Sequence, residues 1–202
     1  MKRFLPTLLA SLLGLATLAG LSACGTAGPG EGQYSAAPGA SPSNTVPTTA
    51  FNDTDVMFLQ MMVPHHQQGI EIVKLAASRE AREEVKILAA AIATTQASEI
   101  TTMQKWLKDW KQPPTARADA HAAHGGMPGT TKAEIDKVAK LDPSEFERQF
   151  LQMLLAHQDD AVQMARRELD AGLNPLAKEM AKRIELSRQA QIKQIQGFLG
   201  QG

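Results

Sequence analysis

Phe58-Leu59-Gln60-Met61 returns later in the chain as Phe150-Leu151-Gln152-Met153, an offset of 150 − 58 = 92 residues. The same offset carries His65 onto His157, Ile92 onto Ile184, Ile100 onto Ile192 and Leu107 onto Leu199 without a gap. A repeat at a fixed period means two copies of one supersecondary unit. The spacing within each copy is helical and strand signal is almost absent. The chain is therefore expected to be all-α, with two repeated helix hairpins closing into a pseudo-symmetric four-helix bundle.

Local punctuation supports four long helices. Asn52 is a cap candidate followed by acids at Asp53 and Asp55, where the helix dipole favours negative charge. That helix runs to about Ser78. A second spans Glu83 to Trp110 and is stopped by Gln112-Pro113-Pro114. Asp142-Pro143-Ser144-Glu145 opens the third, which ends at Gly172, and Asn174-Pro175 opens a fourth that continues to about Leu199. A weaker helical stretch, Lys132 to Leu141, leads into the third. The repeats thus occupy about 51–110 and 142–199, with a connector at 111–141, inside a domain covering 51–202.

The N-terminal part has a different character. Lys2 and Arg3, an apolar run from Leu8 to Leu21 and a small-residue stretch read as a secretory signal over residues 1–23, too short and too rich in Gly, Ala and Ser to span a membrane comfortably. Leu21-Ser22-Ala23-Cys24 resembles a bacterial lipobox, which implies cleavage before Cys24 and lipidation of its sulfur. Residues 24–50, mostly Gly, Pro, Ser, Thr and Ala, cannot bury enough apolar surface to offset the entropy of ordering, and read as a flexible tether. The expected location is extracytoplasmic, on a membrane-anchored lipoprotein of the cell envelope or periplasm. Cys24 is the only cysteine, so the domain has neither an internal disulfide nor a thiolate to offer a metal. With 21 basic and 21 acidic residues there is no basic footprint for nucleic acid.

In the first helix Phe58, Met61, His65, Gly69 and Ile72 form one stripe, and Met62, His66, Ile70 and Val73 the next. Met57, Met61 and His65 follow one another at one-turn steps, as do Met62 and His66. The matching stripe of the third helix holds Phe150, Met153, His157, Ala161 and Met164. Methionine is an adaptable core filler and a single inward histidine is commonly a packed one. Three inward imidazoles beside clustered thioethers are costly to bury unless something satisfies the nitrogens. Pro64 either bends the helix just before His65 or marks its true start. Gly69, matched with Ala161, suggests close helix approach. In the connector His121, His124 and Met127 form a second candidate metal site or simply a polar linker.

Two segments carry a resemblance. Asp55-x-x-Phe58-x-x-x-Met62-x-x-His65-His66 and Gln96-x-x-Glu99-Ile100-x-x-Met103-x-x-Trp106-Leu107 resemble the ferritin-like bacterial family known as domain of unknown function 305, over Phe51 to Leu199. The resemblance implies an extracytoplasmic ferritin-like four-helix bundle, similar to periplasmic copper-binding proteins. It points to Asp55, Met62, His65, His66, Gln96, Glu99 and Met103 as site residues. The second repeat departs from the pattern: His66 becomes Gln158, Gln96 becomes Arg188, Glu99 becomes Gln191, Met103 becomes Ile195 and Asp55 becomes Glu147. Only Met153 and His157 keep side chains suited to a soft metal.

Imidazole and thioether donors without a carboxylate cluster favour a copper ion as copper(I), or silver(I), over iron, calcium or magnesium. A di-iron enzyme would need carboxylates on all four helices and two Glu-x-x-His pairs, and Glu71 and Glu99 lack such histidine partners. No nucleophile stands with a base and an orienting group. The expected function is metal sequestration or handover without catalysis. The expected partners are the metal ion, the membrane through the lipid, and a second copy or a metal-handling protein. The alternative is an envelope interaction module whose histidines and methionines are core.

Overall fold

The computed structural model describes residues 48–116 and 130–200. The signal, Cys24, the tether up to residue 47, and His121, His124 and Met127 lie outside the described residues. Five helices follow in order: α1 (Asp53–Ser78), α2 (Glu83–Asp109), α3 (Lys132–Ala139), α4 (Pro143–Ala171) and α5 (Pro175–Leu199). Among the described residues there is no strand, and no helix is long and apolar enough to cross a membrane. α1 packs along α2 and α4 along α5, giving two hairpins. These meet along α1 and α4, and the short α3 rests on α4.

Caps set the helix ends. Asn52 accepts from the Asp55 amide at 3.0 Å while the Asp55 carboxylate accepts from the Asn52 amide at 2.6 Å, a reciprocal capping box. Asn174 accepts from the amides of Leu176 and Ala177 at the start of α5. α1 runs unbroken through Pro64. Of the two alternatives for this proline, a helix start is therefore excluded. One missing amide donor is tolerated because Met61, Met62 and Val63 before it and His65 and His66 after it are all buried.

The repeat reappears as paired contacts. The Asn174 amide donates to Asp55 at 2.8 Å, and 92 residues away in register the Arg82 amide donates to Glu147 at 2.6 Å. Each hairpin thus offers an acid near the start of its first helix to the turn of the other hairpin. The Asp55 end is reinforced by Asn52, which donates to Ala171, and by Asn174, which donates to Thr48 and Ala50. At the Glu147 end the Arg82 guanidinium also donates to Glu147 and to Phe198.

The interior is layered. One apolar cluster holds Ile72, Val73, Ala76, Leu88, Ile92, Phe146, Phe150, Leu154 and Ile195. Another holds Phe58, Met61, Met62, Met103, Leu107, Ala161, Met164 and Ile184. Along every long helix the residues between the two clusters are polar and buried: His65 and His66 on α1, Gln96 on α2, His157 and Gln158 on α4, and Arg188 on α5. A polar stratum with about 2% exposure or less thus divides an otherwise apolar core.

Candidate metal centre

Helical spacing brings the polar stratum together. His65 and His157, equivalent in the repeat, stack with ring centroids 3.9 Å apart and planes 10° apart. His66 lies 6.2 Å from His65, centroid to centroid. Gly69, one turn beyond His65, leaves the room this needs. A Cβ built there would lie 2.4 Å from Gln96 Oε1 and 2.8 Å from His157 Nε2. The close approach expected at Gly69 is therefore made by the side chains of Gln96 and His157.

His66 Nε2 is 2.7 Å from Glu99 Oε2. A carboxylate there fixes the Nε2–H tautomer, with the ring donating to Glu99 and keeping the Nδ1 lone pair free. Arg188 Nη2 donates to the same Glu99 oxygen at 2.5 Å and lies 3.3 Å from His66 Nε2. In the other repeat the equivalent positions form the neutral counterpart, Gln158 donating to Gln191. The pairing of α1 with α2 at this level is thus repeated between α4 and α5, once as imidazole and carboxylate and once as two amides.

Five of the six nitrogens of His65, His66 and His157 are buried with no partner in normal hydrogen-bonding geometry. The same holds for both amide atoms of Gln96. Burial, then the charges of His157, His66 and Arg188, push the His65 pKa well below its ordinary value. Burial also lowers that of His157 to about 3, aided by His66 and Arg188 and opposed by the His65 backbone. For His66 burial outweighs the opposing hydrogen bond from Glu99. All three rings are neutral near pH 7 and keep lone pairs available to an electrophile.

The other expected residues fall elsewhere. Met62 and Met103 are fully buried in the second apolar cluster, and Met61 belongs to it as well. Met153 departs from the inward stripe. It is half-buried and lines a groove between α3 and α4 with Val138 and Leu141, because the docked α3 covers that flank of α4. Asp55 spends its carboxylate on the amides of Asn52, Leu173 and Asn174 at the hairpin end. Among the described residues no group of three or more His, Cys, Asp or Glu is arranged around one point for a metal. The stacked rings of His65 and His157 explain this: in-plane lone pairs on parallel rings run side by side, so both can reach one ion only if a ring turns. Arg188, which replaces the Gln96 of the first repeat, is the site element the sequence pattern left out. The mismatch at offset 92 is the signal that marks it.

Similar folds are known. A fragment of the family from Deinococcus radiodurans has 28% identity and a TM-score of 0.67, covering 75% of this chain and 98% of its own. A protein of the family from Streptomyces coelicolor has 31% identity and a TM-score of 0.68, covering 73% and 93%. CopM in its Cu(I)-bound form has 28% identity and a TM-score of 0.61, covering 73% and 96%. CopM is also known with Cu(II) and with silver. No curated protein sequence matches the chain. With residues 55–199 matching its pattern, the chain belongs to the family described as domain of unknown function DUF305.

Proposed function

We propose that this protein binds copper(I), with silver(I) as its mimic, in the cell envelope, and holds it for sequestration or handover. The observation that carries this reading is the set of five buried, unpartnered imidazole nitrogens on His65, His66 and His157. Each buried polar group without a partner costs about 1–3 kcal/mol, so a chain that keeps several at one level gains from a ligand that accepts their lone pairs. Neutral imidazole suits copper(I). His66 has the arrangement common to metal-bound histidines, one ring nitrogen donating to a carboxylate and the other free. His65, His66 Nδ1 and His157 are the donors, Gln96 is the adjacent polar atom source, and Glu99 orients His66. CopM, similar in fold and 28% identical, binds copper and silver, which supports the same cargo here. The paired hairpins are read as a ferritin-like four-helix bundle, tethered through a lipid on Cys24.

A copper(I) titration against a calibrated chelator tests this reading. Affinity should fall strongly in the His65→Ala/His157→Ala variant and persist in His121→Ala/His124→Ala. Unchanged affinity in the first variant would remove the assignment. Loss in the second alone would move the site to the connector.

A further inference from the structure

A second, smaller feature lies outside the histidine level. Between the N-terminal half of α1 and the C-terminal half of α4 is a cavity of about 50 Å³, lined by Thr54, Met57, Phe58, Met61, Met164, Arg167 and Glu168. Met57 and Met61 are one turn apart on α1, and Met164 faces them from α4. Met57 is half-buried, while Met61 and Met164 are buried at 5% and 4% exposure. A void of this size is enough for a water or a bare ion and too small for an organic ligand. Methionines in a packed core fill space and leave none. Here three of them border space instead.

We propose that Met57, Met61 and Met164 form a thioether site for a soft monovalent cation, copper(I) or silver(I), separate from the histidine centre. Thioether sulfur is a soft donor that selects copper(I) and silver(I) and is ignored by magnesium, calcium and other hard ions. Among the walls, the buried Glu168 carboxyl borders the cavity as a neutral oxygen neighbour, with Asp55 beside it. Arg167 is exposed and can turn its charge to water. Met57 at the outer edge makes the site reachable from solvent without unpacking the polar stratum.

Silver(I) titration of the full chain labelled with 13C at the methionine methyls tests the proposal, with the histidine ring resonances followed in the same samples. The methyl signals of Met57, Met61 and Met164 should shift together, and should do so equally in the His65→Ala/His157→Ala variant. The Met57→Leu/Met164→Leu variant keeps side-chain volume and should lose roughly tenfold or more in affinity for this site. Shifts confined to the histidine rings would overturn the thioether site and leave the histidine reading standing, and shifts confined to other methionines would overturn both. Shifts of these three methyls with silent histidine rings would uphold it and remove the histidine reading instead.

Discussion

Arg188 donates to Glu99 at 2.5 Å from a fully buried position, so a guanidinium occupies the polar level at the place where the first repeat carries Gln96. The same Nη2 is 3.3 Å from His66. It is a tethered cation beside the donors a metal would use. Removing one partner of a buried ion pair costs about 3–5 kcal/mol, and removing a positive charge this close to His66 favours any cation arriving there. Arg188→Gln is therefore expected to lower the stability of the metal-free protein by a few kcal/mol and to raise copper(I) affinity by roughly tenfold or more. Denaturant unfolding and competitive titration of the same variant measure the two effects, and an unchanged affinity would show that Arg188 does not oppose the ion.

His65 and His66 are neighbours with opposite expectations. His65 has two ring nitrogens without partners, whereas His66 Nε2 donates to Glu99. Replacing a buried, unsatisfied polar group with an apolar one of similar volume removes a penalty of about 1–3 kcal/mol. His65→Leu should accordingly raise the melting temperature of the metal-free protein and abolish the further rise produced by copper(I). His66→Leu should lower it, because Glu99 loses one of its two donors and keeps only Arg188. Equal destabilisation by both changes would mean that His65 is held by contacts other than ring stacking.

Much of this organisation is written locally. Asn52, Asp142 and Asn174 mark helix starts because caps and first-turn prolines act within a few residues; all three stand at N-cap positions, although only Asn52 and Asn174 make a side-chain capping bond and α4 opens on Pro143 alone. The offset of 92 also carries over, since equivalent residues such as His65 and His157 meet and the Asp55 and Glu147 contacts mirror one another. What could not be read depends on tertiary placement. Met153 shares a stripe with His157, yet α3 docks over its flank, and nothing in the periodicity of α4 says where α3 will lie. Arg188 looked like a lost ligand in the second repeat. Only the packing of α5 shows that it reaches across to the first repeat's Glu99. Pro64 left two alternatives open because burial on both sides, not propensity, carries the helix through it.

Acid and alkali should each destabilise the fold, through different groups. The folded pKa of His157 is about 3 against an ordinary 6.5. Its neutral form is favoured by folding, so its contribution is present above pH 6.5 and is lost as pH falls toward 3. Glu168 acts in the opposite sense. Burial, with Asp55 beside it, pushes its pKa up to about 9 from 4.5, so its contribution is complete below pH 4.5 and declines as pH rises toward 9. Glu168→Gln keeps the side-chain shape beside Asp55 and does not ionise. The variant should lose the alkaline decline while keeping the acid one, as followed by denaturant midpoints from pH 4 to 9. An unchanged alkaline limb would place the titrating group elsewhere.

Gly69 links packing to function most directly. A Cβ there would come within 2.8 Å of both Gln96 Nε2 and His157 Nε2 and closer still to Gln96 Oε1, so Gly69→Ala must displace the side chains of the polar stratum. Overpacking of this kind costs about 1–3 kcal/mol, while alanine's better helix propensity returns up to about 1 kcal/mol. A net loss of about 0–2 kcal/mol follows. The larger effect should be on binding, because His157 would be pushed from its place against His65, and copper(I) affinity should fall further than the small loss of stability accounts for. Ala161 is also fully buried, but by the offset it is the Gly69 counterpart and already carries a Cβ. Ala161→Gly therefore serves as the control: it should destabilise through helix propensity and a small void and leave copper(I) affinity near that of the parent. If Gly69→Ala bound copper(I) as tightly as the parent, the cleared space at Gly69 would be a packing feature alone.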